Sequence, residues 1–402
     1  MDFKFELERR DKINNQDNII GTEIKNRRLS MSLTLAALAE DTCSTSYLCK
    51  IEKAKIVANN RCLEEICKRV GMDKTEYNDL INLKNALKLV CDYYFYRNNT
   101  GIEKLKKSIN DFNNYRSHII NYVIALYENN SLQANRYSKA ILSLVKEITD
   151  LDLLVFLTFY SIDLMQQNQY SEASDNIKAV LDKPSGITTL EILQMECLFE
   201  CAYRSDAYST YIYYEKLRDL YFQNSLFDQS QMLFYKMAIY TLIKEKTEDF
   251  NLFFDKVNSQ SLKYNLTFYK SIGIGEVSKV KKMNPDKLNL VAKMMFYFYF
   301  DRGKFKQEYT KALDEIKYYR EKAIISYLNA SIKGKRVEYL YNEGLKQALE
   351  AYDGAILDYY LDELANLLQN QGSYLGFFEF YREVSKIKKV INQIWWKKYS
   401  FL

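Results

Sequence analysis

Apolar residues recur at helical spacing along almost the whole chain. Between residues 18 and 72 they define short segments: Leu48 and Ile51 lie three residues apart, and the stretch from Leu63 to Val70 is apolar at i, i+3, i+4 and i+7. Residue types that commonly cap helix N-termini precede three of the segments, namely Thr34, Ser44 and Asn59. The pattern predicts a compact group of short helices, with a break near Ser30 to Ser32 and an end at Gly71.

After about residue 80, longer amphipathic segments alternate with brief polar turns. Turns centred near residues 99, 130, 169, 206, 247, 303, 334 and 372 lie 31 to 41 residues apart, except for one gap of 56. This period indicates helical hairpins that stack into a solenoid. Two copies look like tetratricopeptide repeats, one with Tyr170, Ala173 and Ala179 and the other with Gly303, Phe305 and Ala312. The long gap holds either an additional helix or an elbow.

Composition supports an all-α fold. Only 12 Gly and 2 Pro occur among 402 residues, which leaves little of the turn chemistry that β-rich chains need. Hydrophobic residues make up 48% of the chain, enough for an extended core. The N-terminus alternates charges, and the longest apolar run, residues 153 to 162, is too short to span a bilayer. We therefore expect a cytoplasmic protein with no membrane contact.

The chain offers little material for catalysis or metal binding. Its single histidine is His118, and none of its 7 cysteines form a CxxC pair. We expect no catalytic residues, no metal, no cofactor and no enzymatic activity. The net charge of +5 is mild, but residues 20 to 75 hold 10 Lys plus Arg against 7 Asp plus Glu, a net of +3. The head is therefore the more basic part, which suits a polyanionic partner.

Three ordered motifs in the head carry a family resemblance. They are I-G-x-x-I-K-x-x-R from Ile20, L-T-x-x-x-L-A-E from Leu33 and S-Y-L-x-K-I-E from Ser46. Together they resemble the phage-repressor-like (XRE-type) helix-turn-helix family. The short turn from Cys43 to Ser46, followed by tetratricopeptide-like repeats, resembles the peptide-sensing Rap/Rgg/NprR/PlcR/PrgX regulators. The resemblance implies an N-terminal extension (residues 1–17), a helix-turn-helix domain (18–75) and a repeat domain for peptide binding and dimerisation (76–402).

The resemblance also implies which head residues contact DNA. In that family the third helix lies in the major groove, and the second crosses the phosphate backbone. Residues expected to face bases are Thr45, Ser46, Tyr47 and Cys49. Residues expected to face phosphates are Arg28, Lys50, Lys53, Lys55 and the N-terminus of the second helix at Thr34. Ser44, the cap of the third helix, is also expected among the DNA-binding residues. Leu35 and Arg27 depart from the family pattern, since a phosphate-binding Gln and an apolar residue are usual at these positions.

For the repeat domain, the resemblance implies a peptide held on the first helices of the hairpins. Amides in mid-helix can bond the backbone groups of a peptide, and the candidates are Asn121, Asn329 and Asn366. The alternative is that these amides are exposed or bond neighbouring helices.

The function implied is that of a homodimeric transcription regulator. It binds double-stranded operator DNA and is controlled by a short signalling peptide, as in quorum sensing. One alternative is an adaptor whose repeats bind or inhibit a partner protein, with the head serving only to target it. A phosphatase acting on a response regulator is a third possibility, but no residue constellation supports it.

Overall fold

The structure, a computed structural model, describes residues 19–53, 56, 58–72, 74–109, 114–145, 148–205, 208–243, 247–316, 319–350 and 354–370. Every regular element among these residues is helical, as the sequence predicts. The chain forms two compact units. The first comprises the described residues up to Met165 together with Ser171–Leu198, and the second comprises Gln166–Tyr170 together with the described residues from Phe199 onward.

Four short helices form the head: α1 (Ile19–Ser30), α2 (Leu35–Ala39), α3 (Thr45–Glu52) and α4 (Asn60–Arg69). All three predicted N-caps are confirmed. The side chains of Thr34, Ser44 and Asn59 accept hydrogen bonds from backbone N–H groups in the first turns of α2, α3 and α4. Each cap satisfies a donor that the helix itself cannot. The predicted break is also present, because Ser32 adopts a left-handed φ of 56°.

The core of the head comes from one apolar face of each helix. Ile24, Leu38, Leu48 and Ile66 are all at most 1% exposed. Gly71 follows α4 with φ of 69°, a conformation that suits glycine, and so ends the helix where the sequence predicts. Arg69 of α4 donates hydrogen bonds to the carbonyls of Leu38 and Glu40, which satisfies the open end of α2.

The first unit continues from the head without a break into helical hairpins. The long helix α5 packs against α1 of the head and against α7 of the next hairpin. Its apolar face, with Leu83, Leu87 and Val90, is buried. The helices of this part are α5 (Lys74–Phe95), α6 (Asn99–Ile109), α7 (Tyr115–Tyr127), α8 (Ser131–Ser143), α9 (Asp150–Gln166), α10 (Tyr170–Val180) and α11 (Thr188–Ser205). Residues of α11 from Phe199 onward, and Tyr170 at the start of α10, belong to the second unit.

The second unit repeats the hairpin theme. Its helices are α12 (Ser209–Gln223), α13 (Phe227–Ile243), α14 (Thr247–Lys256), α15 (Gln260–Gly273), α16 (Val277–Val280), α17 (Leu290–Phe300), α18 (Arg302–Glu315), α19 (Tyr319–Ile332), α20 (Arg336–Tyr339), α21 (Leu345–Glu350) and α22 (Gly354–Asn370). The gap of 56 residues in the sequence period holds the extra pair α15 and α16, followed by a 3-10 turn at Pro285–Lys287. The additional-helix alternative therefore holds.

Several hairpin turns share one backbone device. Arg97, Asn129, Asn168 and Gly334 each follow the first helix of a hairpin and have φ between 54° and 70°. This left-handed residue lets the chain reverse and satisfies the last carbonyls of the helix. The polar turns predicted near residues 99, 130, 169 and 334 lie at these positions. Tyr170 and Phe305, the aromatic residues of the two repeat signatures, are buried as that repeat requires.

Candidate DNA-binding surface and first-helix cluster

Helix α3 has one buried side and one exposed side. Leu48 and Ile51 point into the head, while Ser46 and Lys50 are exposed. Because residues four apart lie on the same face of a helix, Ser46 and Lys50 are neighbours. Ser44 and Thr45 at the N-terminal end are also exposed, and the Ser44 Oγ accepts a hydrogen bond from the Tyr47 N–H at 3.1 Å. The head thus presents a small, polar, capped helix N-terminus with lysines further along.

Arg28 lies in the interior of the head, which differs from its expected place against phosphate. Its guanidinium binds Glu52 through two contacts of 2.7 and 3.0 Å, and it also donates to the Leu33 carbonyl at 2.9 Å. The hydrogen bond to Glu52 raises the pKa of Arg28 above its ordinary value. Only 8% of Arg28 is exposed. We therefore assign Arg28 to joining α1 to the end of α3 and leave it out of the proposed DNA contacts.

Tyr47 and Cys49 are half-buried and less available than the sequence suggests. The Tyr47 hydroxyl accepts a hydrogen bond from the backbone N–H of Asn59 at 3.1 Å. That bond ties α3 to the N-cap of α4. The Cys49 thiol is likewise half-buried. Neither side chain has the free exposure of Thr45 and Ser46.

The remaining predicted phosphate contacts lie at helix ends. Thr34 caps α2 and is exposed, with its Oγ1 3.1 Å from the Ala37 nitrogen. Lys53 is the C-cap of α3 and is exposed. Lys55 lies outside the described residues. The helix N-termini at Thr34 and Ser44 and the exposed lysines Lys50 and Lys53 are each of a kind that suits an anionic backbone.

A second polar cluster lies in the second unit, on the first helices of successive hairpins. We call it the first-helix cluster, and its members are Glu200, Tyr203, Arg204, Tyr235, Lys236, Tyr269, Asn289, Arg320 and Glu321. Arg320 of α19 donates to the carbonyls of Tyr203 and Arg204 at 3.3 and 3.1 Å, and its guanidinium lies 4.9 Å from the centre of the Tyr203 ring. It thereby caps the C-terminal end of α11, where a cation is favourable.

Ion pairs and tyrosine hydroxyls complete the cluster. Arg204 lies 3.5 Å from Glu321, and Lys236 forms an ion pair with Glu200. Asn289, the N-cap of α17, donates to the Tyr235 hydroxyl at 3.0 Å and accepts from the Tyr269 hydroxyl at 3.1 Å. Burial raises the pKa of both tyrosines, so their hydroxyls stay protonated. Since Lys236, Glu200 and Glu321 keep 20 to 35% of their side chains exposed, the cluster is accessible from solvent.

The three predicted amides lie on three different helices. Asn121 is half-buried on α7 of the first unit. In the second unit, Asn329 is half-buried on α19 and Asn366 is exposed on α22. None of the three belongs to the first-helix cluster. Sequence reasoning missed that cluster because its decisive contact joins residues 116 positions apart, and the available signal was only the adjacent charges Arg320 and Glu321 opening a helix.

Two further features concern chemistry that the sequence disfavours. All 7 cysteines are free thiols, and Cys197 and Cys201 are buried as small core residues. Across the part of the chain that the structure describes, no three metal-ligating side chains come together. No helix within the described ranges combines the length and apolarity needed to cross a membrane.

Comparison with known proteins gives matches among solved structures alone. No protein-family model matches the chain, and no curated protein matches it. The apo form of the competence regulator ComR from Streptococcus vestibularis is 15% identical, with a TM-score of 0.37, and the match covers 65% of this chain and 99% of that one. Bacillus thuringiensis PlcR, solved in complex with the peptide PapR7 and DNA, is 11% identical, with a TM-score of 0.31 and coverage of 66% and 100%.

A third similar structure is the SHP pheromone receptor Rgg2 from Streptococcus dysgalactiae. It is 14% identical, with a TM-score of 0.19, and the match covers 74% of this chain and 100% of that one. PlcR and Rgg are names within the group that the sequence resembles.

Proposed function

We propose that this protein is a cytoplasmic, homodimeric transcription regulator that binds operator DNA through α3 and responds to a short peptide bound by its hairpin repeats. The observation that carries the proposal is the exposed side of α3. It joins a capped N-terminus, small hydroxyl residues and lysines on a helix whose other side is fixed in the core of the head. Such a helix suits the major groove.

The proposed division of labour follows from side-chain size and position. Thr45 and Ser46, which are short and exposed, allow α3 to approach base edges closely. The N-terminus of α2 at Thr34 and that of α3 at Ser44 offer backbone N–H groups to phosphates. Lys53, with Lys55 beyond it in sequence, adds positive charge at the far end of α3. A dimer would place two copies of this surface on a palindromic site.

We propose that the peptide binds at the first-helix cluster and not at the three predicted amides alone. It combines three cations, two carboxylates and hydrogen-bonding tyrosines in a partly exposed setting. A bound peptide can bond such groups through its backbone and its charged termini. Asn329 lies on the same helix as Arg320 and Glu321, and we retain it as a further candidate. Asn121 and Asn366 remain candidates by sequence.

The DNA-binding proposal is tested by sequencing genomic fragments that the full-length protein retains. We expect enrichment of a palindromic site, and we expect Lys50→Glu to abolish it because the new carboxylate repels the backbone. Lys216→Glu on α12, an exposed lysine outside the head, is the matched control and should retain the site. Retention of random fragments, or none, would refute the proposal. A partner protein that Lys50→Glu still retains would instead favour the adaptor alternative.

The peptide proposal is tested with a pool of short synthetic peptides and affinity selection by mass spectrometry. We expect the wild-type protein to retain a subset of peptides, and Lys236→Met to retain less of that subset. Lys216→Met serves as the control and should behave as the wild type. Equal retention by the Lys236→Met variant would place the peptide elsewhere.

A further inference from the structure

Lys50 differs from the other long side chains on the exposed side of α3. This inference rests on the proposed DNA binding and assigns one base of the DNA site. Tyr47 is held back by its hydrogen bond with Asn59, 3.1 Å long. Lys53 is the C-cap, so it stands beyond the last helical residue. Lys50, in contrast, is a long polar side chain within the helix and on its exposed face, one turn after Ser46.

The local charges leave the Lys50 ammonium available for a ligand. Glu52, the carboxylate nearest to it in sequence, is committed to Arg28 in the core. Among the described residues, no ion pair involves Lys50, while the residues before it on the same face are short. Ser46 and Lys50 share one exposed face, so where Ser46 meets a base edge, the flexible four-carbon stem of Lys50 extends into the same groove.

The chemistry of the ammonium selects one base. It has three donors and no acceptor, so it needs a base edge that presents only acceptors. Guanine offers N7 and O6 side by side in the major groove, whereas adenine pairs its N7 acceptor with an amino donor, and cytosine presents an amino donor. A donor-only side chain therefore prefers guanine. Thymine has one acceptor, but its methyl group lies beside it.

Helix geometry places that guanine relative to the other contacts. With a rise of about 1.5 Å per residue, Lys50 lies about 6 Å along α3 from Ser46. A helix that lies in the major groove advances by about one base pair for every three to four residues, so Ser46 and Lys50 face neighbouring base pairs. We propose that Lys50 recognises a guanine in each half-site, about one base pair from the base pair that Ser46 contacts.

The experiment is selection of binding sites from randomised DNA by the full-length protein and three variants. For Lys50→Gln we expect the preferred base at one position per half-site to change from guanine to adenine, because an amide matches the adenine edge. Affinity for the wild-type site should fall by roughly tenfold or more, as expected for loss of one base contact. Ser46→Ala should relax the base preference about one base pair away.

Lys53→Gln is the matched control, because the same substitution lies at the end of the same helix. It should weaken binding to all sequences about equally, leave the motif unchanged and reduce the salt dependence by about one charge. Lys50→Gln should unfold at the same temperature as the wild type, since the side chain is exposed.

The possible outcomes separate the two proposals. If Lys50→Gln still selects guanine at that position, the assignment of Lys50 is overturned, while the proposed DNA binding stands. If the motif changes in Lys53→Gln instead, the base contact belongs to Lys53, and the assignment of Lys50 is overturned as well. Absence of any motif for the wild-type protein overturns the DNA-binding function and, with it, this inference.

Discussion

At the level of single residues, the buried pair of Arg28 and Glu52 fixes the end of α3 against α1. Two short contacts join the groups, and both side chains are almost fully enclosed. Burial of two charges is costly, so the pair adds little by itself compared with an apolar pair of the same size. Each charge needs the other, because removal of one would leave its partner buried and uncompensated. The orientation of the exposed side of α3 therefore depends on a contact that does not itself face a ligand.

We predict that Arg28→Met destabilises the head by about 3 to 5 kcal/mol, because Glu52 is left as an uncompensated buried charge. The measurement is amide hydrogen exchange in α1 and α3. The double variant that carries both Arg28→Met and Glu52→Met should regain most of the lost stability. Arg27→Met, which breaks the more exposed pair with Glu23, should cost about 1 kcal/mol or less. Equal effects of the two arginine substitutions would contradict the structural role given to Arg28.

A second prediction concerns pH and the single histidine. Burial, with a smaller effect of Arg136, lowers the pKa of His118 below its ordinary value of 6.5. The unfolded chain then binds this proton at a higher pH than the folded chain does. The contribution of His118 to the free energy of unfolding should be fully present above pH 6.5 and should fall as the pH drops below it. Urea unfolding on both sides of this value should show the fall for the wild type and a smaller one for His118→Gln.

At the level of elements, the short helices of the head depend on their caps. Helix α2 has only 5 residues and α3 only 8, both too short to be stable alone in water. The caps Thr34 and Ser44 were predictable because capping is a local relation between residues three apart. The same is true of the apolar faces of α3 and α4. The role of Arg28 was not predictable, because its partner lies 24 residues away.

The cap at Ser44 allows stability and DNA binding to be separated. Ser44→Ala should destabilise the head by about 1 kcal/mol, because the first turn of α3 loses an acceptor. Ser44→Asp should keep the cap and the stability, yet weaken DNA binding, because a carboxylate then faces the phosphates. Hydrogen exchange and a DNA-binding titration measure the two effects. The control Ser46→Ala removes an exposed hydroxyl that caps nothing; a loss of stability as large as that of Ser44→Ala would count against the cap.

At the level of the whole molecule, the sequence period predicts the hairpins but not which helices meet. The turns at Arg97, Asn129 and Asn168 were visible as polar breaks, since each break is local. The contact between α19 and the end of α11 arises only when several hairpins have stacked. Its position depends on the small rotation between successive hairpins, which no local pattern encodes. That is why the sequence pattern did not point to the first-helix cluster.

We predict that Arg320→Ala affects both ends of this contact. The carbonyls of Tyr203 and Arg204 lose a buried donor, and the start of α19 loses its anchor. Hydrogen exchange should accelerate at the C-terminal end of α11 and in the first turns of α19. Lys322→Ala, an exposed neighbour on α19, should change neither segment. Faster exchange confined to α19 would show that the contact does not stabilise α11.

The continuity of α5 determines where this chain can be divided. Because α5 packs against both α1 and α7, cutting at residue 75 would leave α1 without one of its packing partners. A fragment that carries the head alone should therefore extend to Phe95, with polar replacements on the side of α5 that faces α7. A protease that acts on folded proteins should likewise find no easy site between Lys74 and Phe95, since helical backbone has to unwind before it can be cleaved.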